Sequence, residues 1–103
     1  MNNRLIRTLG YKLAAGTVEE EQFQLLVVIS SLRSKKVINA LSAYFVSGCT
    51  RAEVCERFNV NPGYLSIKIK EMERLCQYIL AIYPFFIQST DNSYLRNNCD
   101  DNP

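Results

Sequence analysis

Apolar residues recur at intervals of three and four from about residue 17 to residue 83, and helix-capping residues punctuate the pattern. That period lines one side of an α-helix, whereas a half-buried strand would need strict alternation. Thr17 with Glu20 reads as a capping box, whose hydroxyl and carboxylate satisfy free backbone amides at a helix start. Phe23, Leu26, Val27 and Ser30 then share a face that Leu25, Val28, Ile29 and Leu32 widen. A helix so broadly apolar calls for burial on two sides. Ser34 caps a second helix bearing Val37, Ile38, Leu41, Tyr44 and Phe45, and Gly48 closes it. Thr50 and Glu53 form another capping box, Asn59 is a left-handed turn residue, and Asn61 caps a further helix. Pro62 takes that helix's first position, where its missing amide does no harm. Leu65, Ile69, Met72, Leu75, Cys76 and Ile79 mark its inner face up to about Tyr83, and Pro84 ends it. The expected class is all-α: a small helical domain containing a helix-turn-helix.

Composition narrows the possible functions. The chain has 103 residues, enough for one small domain, and no histidine. It therefore lacks both the commonest general base near neutral pH and the commonest metal ligand. Cysteines at 49, 55, 76 and 99 include no C-x-x-C pair, so neither a metal nor a cofactor is expected. Without a nucleophile–base pair or a phosphate-binding glycine loop, the chain is not expected to be an enzyme or to take a small-molecule substrate. Arg4, Arg7 and Lys12 interrupt any signal-peptide core. The longest apolar stretch, Tyr78 to Ile87, is too short to span a bilayer. A cytoplasmic protein with reduced thiols and no membrane partner is the expectation. Three segments follow: an arm (1–16), a helical body (17–87) and a flexible tail (88–103) rich in Asn, Asp and Ser. Leu5, Ile6, Leu9 and Leu13 give the arm a weak amphipathic pattern beside its basic residues. It reads equally as a mobile arm or as a partner-binding strip.

Thr50 to Ile69 has the outline of a helix-turn-helix, with a short helix, a three-residue turn and a longer helix. In that motif the first helix braces on the phosphate backbone and angles the second into a groove. Val54, Cys55, Phe58, Val60, Leu65 and Ile69 are its expected core, with Cys55 as the small residue where the helices cross. Gly63, Tyr64, Ser66, Ile67, Lys68 and Lys70 are then outward. The net charge of the whole chain is only +2. Yet residues 33–70 hold Arg33, Lys35, Lys36, Arg51, Arg57, Lys68 and Lys70 against Glu53 and Glu56, a local +5. Such an excess is the electrostatic footprint expected for a phosphate polyanion. A protein-interaction module that antagonises another regulator without touching DNA would share the same helices.

The stretch T-R-A-E-V-C-E-R-F-N-V-N-P-G-Y-L-S, Thr50 to Ser66, resembles the PapB/FocB-type regulators of fimbrial and adhesin operons in enteric bacteria. Arg51, Glu53 to Glu56, Asn61, Gly63, Tyr64 and Ser66 match that family's signature. Phe23, Ile29-Ser30-Ser31, Ser34, Tyr44, Gly48, Arg74, Leu75 and Pro84 keep the register, so the likeness spans about residues 23–86. Leu65 stands where an aromatic is frequent, Pro62 where a polar residue is seen, and Ile67 to Met72 diverges. The resemblance implies a transcriptional regulator that binds A·T-rich DNA and multimerises along it, associating with the bacterial nucleoid when bound. It also implies minor-groove contact, whereas the motif ordinarily docks in the major groove; both grooves stay open.

On this reading Arg51, Lys68 and Lys70 serve phosphate electrostatics, while Asn61, Tyr64 and Ser66 position the helix end by hydrogen bonds. Backbone amides from Asn61 to Tyr64 would add donors toward a phosphate. Gly63 and Ile67 complete the contact face. The apolar surplus predicts a homo-oligomer, at least a dimer, joined through Phe23, Val27, Tyr78, Tyr83, Phe85 and Phe86.

Overall fold

The computed structural model of the chain describes residues 13–100, and the side chains of 13–87. Expectations for Leu5, Ile6 and Leu9, and for the last three residues of the tail, lie outside the described residues. Among the described residues four helices follow in order: α1 (Glu20–Ser30), α2 (Lys35–Phe45), α3 (Arg51–Phe58) and α4 (Pro62–Asp100). No strand occurs among the described residues, and the fold is all-helical.

One hydrophobic core joins all four helices. Phe23 and Leu26 of α1 meet Ala40, Leu41 and Phe45 of α2, Val54 of α3, and Leu65, Ile69, Met72 and Cys76 of α4. The inner positions of α4 are those set by its three- and four-residue spacing, which stacks side chains on one face. Ala40 and Ala43 supply small side chains in the middle of α2, where neighbouring helices pack closely.

Helix starts follow local chemistry. Ser34 Oγ accepts from Val37 N–H at 3.3 Å. Thr50 Oγ1 accepts from Glu53 N–H at 3.1 Å, and Thr50 N–H donates back to Glu53 Oε1 at 2.8 Å. The first helix departs from expectation. Its cap is Glu19, whose N–H donates to Gln22 Oε1 at 3.3 Å, and not Thr17. Val18 is buried and donates its N–H to Phe45 O at 3.0 Å, so the chain at Thr17 is committed to the end of α2 before a helix can begin. Thr17 Oγ1 instead donates to Ala14 O.

Residues 13–16, which the sequence assigns to the arm, pack against the helical body. Leu13 is buried, and Gly16 N–H donates to Tyr44 O at 2.9 Å. Gly16 and Gly48 cross here, both at positive φ (74° and 84°). A Cβ on Gly16 would lie 3.0 Å from the Gly48 Cα. Gly48 supplies the left-handed turn expected of it, but α2 itself stops earlier, at Phe45 with Val46 as cap. The turn lets Cys49 N–H return to Ala43 O at 2.9 Å.

Pro84 does not end α4. The helix continues through it to Asp100, including residues 88–100 that the sequence assigns to the tail. Proline removes one backbone hydrogen bond and crowds the carbonyl one turn earlier, which kinks a helix without always ending it. No helix among the described residues is long and apolar enough to cross a membrane.

Candidate nucleic-acid interface

The turn between α3 and α4 sets the geometry of the candidate interface. Asn59 adopts φ 53°, ψ 53°, and its N–H donates to Cys55 O. Asparagine tolerates this left-handed conformation better than other residues that carry a Cβ. Val60 then dips into the core and donates its own N–H to Cys55 O at 3.0 Å. Val54, Leu65 and Ile69 are fully buried beneath the turn, while Cys55 and Phe58 pack against the core half-buried. The Arg57 guanidinium covers the Phe58 ring at 5.1 Å.

The start of α4 is closed as an anion site. Asn61 Oδ1 accepts from Gly63 N–H at 2.8 Å and Tyr64 N–H at 3.1 Å. Pro62 has no N–H, and Leu65 N–H donates to Asn61 O. The first-turn amides expected to reach a phosphate are therefore already bonded within the chain. The Asn61 carboxamide oxygen holds the helix start together instead of offering itself outward.

Helical spacing distributes the remaining predicted residues over three sides of α4. Gly63, Ile67 and Lys70 are exposed and share one outward stripe. Arg74 continues that stripe one turn further on; counting three and four residues from Ile67 would have found it. Ser66 lies to one side, where its Oγ accepts from Arg51 Nη1 at 2.9 Å. The same guanidinium sits 5.6 Å from the centre of the Tyr44 ring. Arg51 thus ties α3 to α4 and α2, yet keeps an exposed side chain with donors to spare.

Lys68 lies on the opposite flank, turned from the outward position expected of it. Its Nζ meets Glu71 Oε1 at 3.2 Å and stands 5.4 Å from the Tyr64 ring centre. It borders a depression with Ser30, Ser31 and Leu32 at the end of α1. Glu71 compensates its charge, whereas Lys70 and Arg74 form no ion pair among the described residues and share a polar depression with Glu73.

The predicted contact set between copies is also redistributed. Phe23 is only 2% exposed and belongs to the chain's own core, so it cannot form an external surface. Val27 is half-buried against that core. Tyr78, Tyr83, Phe85 and Phe86 are exposed on α4. Leu25, Val28 and Ile29 turn outward from α1, opposite the Phe23–Leu26 face that enters the core. Leu25, Ile29, Ile79 and Leu80 line an apolar groove between α1 and α4, with Cys76 at its floor. Burial, and secondarily the Glu73 charge, push the Cys76 thiol above its ordinary pKa. No group of potential metal ligands gathers among the described residues.

Comparison with known proteins places this architecture. Residues 1–86 match the family model described as PapB, adhesin biosynthesis transcription regulatory protein. That match extends across the N-terminal segment, beyond the 23–86 span legible in the motif. The Escherichia coli regulatory protein FanB is 47% identical over 82 residues, covering 80% of this chain and 83% of FanB. The Escherichia coli AFA-III adhesin operon regulatory protein is 46% identical over 84 residues, covering 82% and 83% respectively. The crystal structure of Escherichia coli FocB superposes with a TM-score of 0.71 at 38% identity, covering 80% of this chain and 93% of FocB. The chain, with its capped α3–α4 turn and all-helical core, belongs to the PapB family of adhesin biosynthesis transcription regulatory proteins.

Proposed function

We propose that the chain regulates a fimbrial or adhesin operon by binding A·T-rich double-stranded DNA as an oligomer. The observation that carries this reading is the outward stripe of α4. Gly63 leaves space for the Asn61 cap, whose Oδ1 would lie 3.1 Å from an added Cβ, Ile67 offers an apolar contact, and Lys70 and Arg74 project positive charge. Arg51 adds a cation at the α3 edge of the same surface. Before Lys70 the stripe offers only Gly63 and Ile67, whose side chains make no hydrogen bond to base edges in the major groove. Preference for A·T-rich duplex then comes from groove shape and its negative potential. The relatives whose names assign them to adhesin operons support the regulatory half of the proposal.

Association of copies is supported by the apolar surface that the fold leaves outside. Leu25, Val28 and Ile29 on α1, with Tyr78, Leu80 and Ile82 on α4, are exposed apolar side chains of the kind that contacts between copies bury. A gel-shift titration of A·T-rich and G·C-rich duplexes at two salt concentrations tests the reading. Tighter A·T binding that weakens steeply with salt supports it, since each neutralised phosphate releases about 0.9 counterion. No shift with either duplex in dilute buffer refutes it and favours an antagonist acting through protein contacts.

A further inference from the structure

Arg51 is an exposed cation held from two sides. Its Nη1 donates to Ser66 Oγ at 2.9 Å, and its guanidinium carbon stands 5.6 Å from the centre of the Tyr44 ring. Tyr44 is a buried residue of α2 whose own position is fixed. Its backbone O accepts from Gly16 N–H at 2.9 Å, and its ring meets Phe45 edge to face with centres 5.0 Å apart. Ser66 lies three residues after Gly63 and four before Lys70, so it borders the outward stripe of α4. Side chains from three helices converge on one guanidinium.

A structural tie alone does not account for that arrangement. Arg51 is the first residue of α3, where the helix dipole disfavours a cation. The acid of that first turn, Glu53, accepts from the Thr50 amide, and Arg51 forms no ion pair among the described residues. Val54 already seats α3 in the core. A guanidinium carries its donors in one rigid plane. A ring against its face and a hydroxyl at one nitrogen fix that plane and leave the other donors for an external acceptor. Phosphate oxygens fit such a fork, and a plane held beforehand loses less side-chain freedom on binding.

We infer that Tyr44 and Ser66 are positioning residues that preset the Arg51 guanidinium for a DNA phosphate and make no contact of their own with the duplex. The inference rests on the DNA-binding reading above. It gives Ser66 a role through Arg51 in place of a direct bond, and it adds Tyr44, which lies outside the α3–α4 unit.

The test is a set of double-mutant cycles in the full chain, read by fluorescence anisotropy on a labelled A·T-rich duplex over a salt series, with circular dichroism to check folding. Arg51→Ala should flatten the slope of log affinity against log salt by about 1. Ser66→Ala should weaken binding roughly two- to tenfold. Tyr44→Leu should weaken it roughly two- to fivefold, and Tyr44→Phe, which keeps the ring, should recover that loss. In the Arg51→Ala background both losses should vanish, because residues that act through one side chain are not additive. A loss that persists without Arg51 gives the residue a contact or a folding role of its own and overturns the inference. So does Ser66→Ala or Tyr44→Leu binding like wild type, or an unchanged slope in Arg51→Ala, while DNA binding stands. Should Tyr44→Leu fail to fold, the nuclear Overhauser contact between the Tyr44 ring and the Arg51 δ-protons of the wild type decides that residue: it should be present, and its absence overturns the assignment. A wild-type chain with no salt-dependent affinity removes the DNA-binding reading, and the positioning roles with it.

Discussion

Two isoleucines two positions apart on α4 show how far a residue's work depends on which way it faces. Ile69 is completely buried, whereas Ile67 is 56% exposed. Ile69→Ala deletes core contacts and leaves a cavity, so urea denaturation should show a loss of about 2–5 kcal/mol. Ile67→Ala should change stability by less than about 0.5 kcal/mol and, on the proposed function, lower DNA affinity. Cys76 gives a second residue-level expectation. Burial raises its pKa in the folded chain, so the folded state holds the thiol proton more tightly than the unfolded one. The resulting stabilisation is present below the unfolded pKa, about 8.5, and declines as pH rises through the folded value. Urea midpoints should therefore fall more steeply between neutral and strongly alkaline pH for wild type than for Cys76→Ala. Equal slopes would remove the thiol from the account.

At the scale of elements, caps and turns decide where each helix begins and how it meets the next. The Asn61 side chain satisfies two amides of α4, so Asn61→Ala should cost about 0.5–2 kcal/mol and Asn61→Asp much less, as read from thermal midpoints. The glycine crossing is stricter. At Gly16 an alanine meets both a positive φ and a backbone atom 3.0 Å away, and should destabilise by more than about 1 kcal/mol. The caps at Ser34, Thr50 and Asn61 were legible because each is a local bond between residues two or three apart. The start of α1 was not. Thr17 looks like a cap in isolation, but the Val18–Phe45 hydrogen bond, made to a residue distant in sequence, takes that segment away. Likewise Ser31, a left-handed helix end without glycine, carries no turn signal of its own.

At the scale of the described residues, the surface divides into a cationic stripe on the first three turns of α4 and an apolar expanse on α1 and on residues 78–87 of α4. On the proposed function, this separation would give one face to a duplex and the other to a second copy. Ile29 is 55% exposed on the apolar side, and Ile29→Asp should lower the mass seen by sedimentation at tens of micromolar without lowering the thermal midpoint by more than about 0.5 kcal/mol equivalent. A variant that retains its mass would place the contact elsewhere. Lys68 illustrates why composition alone misjudges such a surface. It counts toward the local +5, yet its partner Glu71 lies outside that counted window and one turn away on α4.

Helix class, the order of the helices, the buried face of α4 and the left-handed Asn59 were settled by the sequence itself, because periodicity and capping act over a single turn. Tertiary structure decided which apolar residues remain outside, which cations are compensated and where the N-terminal segment is anchored. Those outcomes depend on contacts such as Arg51–Ser66 and Leu13–Glu73, whose partners lie 15 and 60 residues apart. Only the packing of four helices into one core brings them within hydrogen-bonding distance.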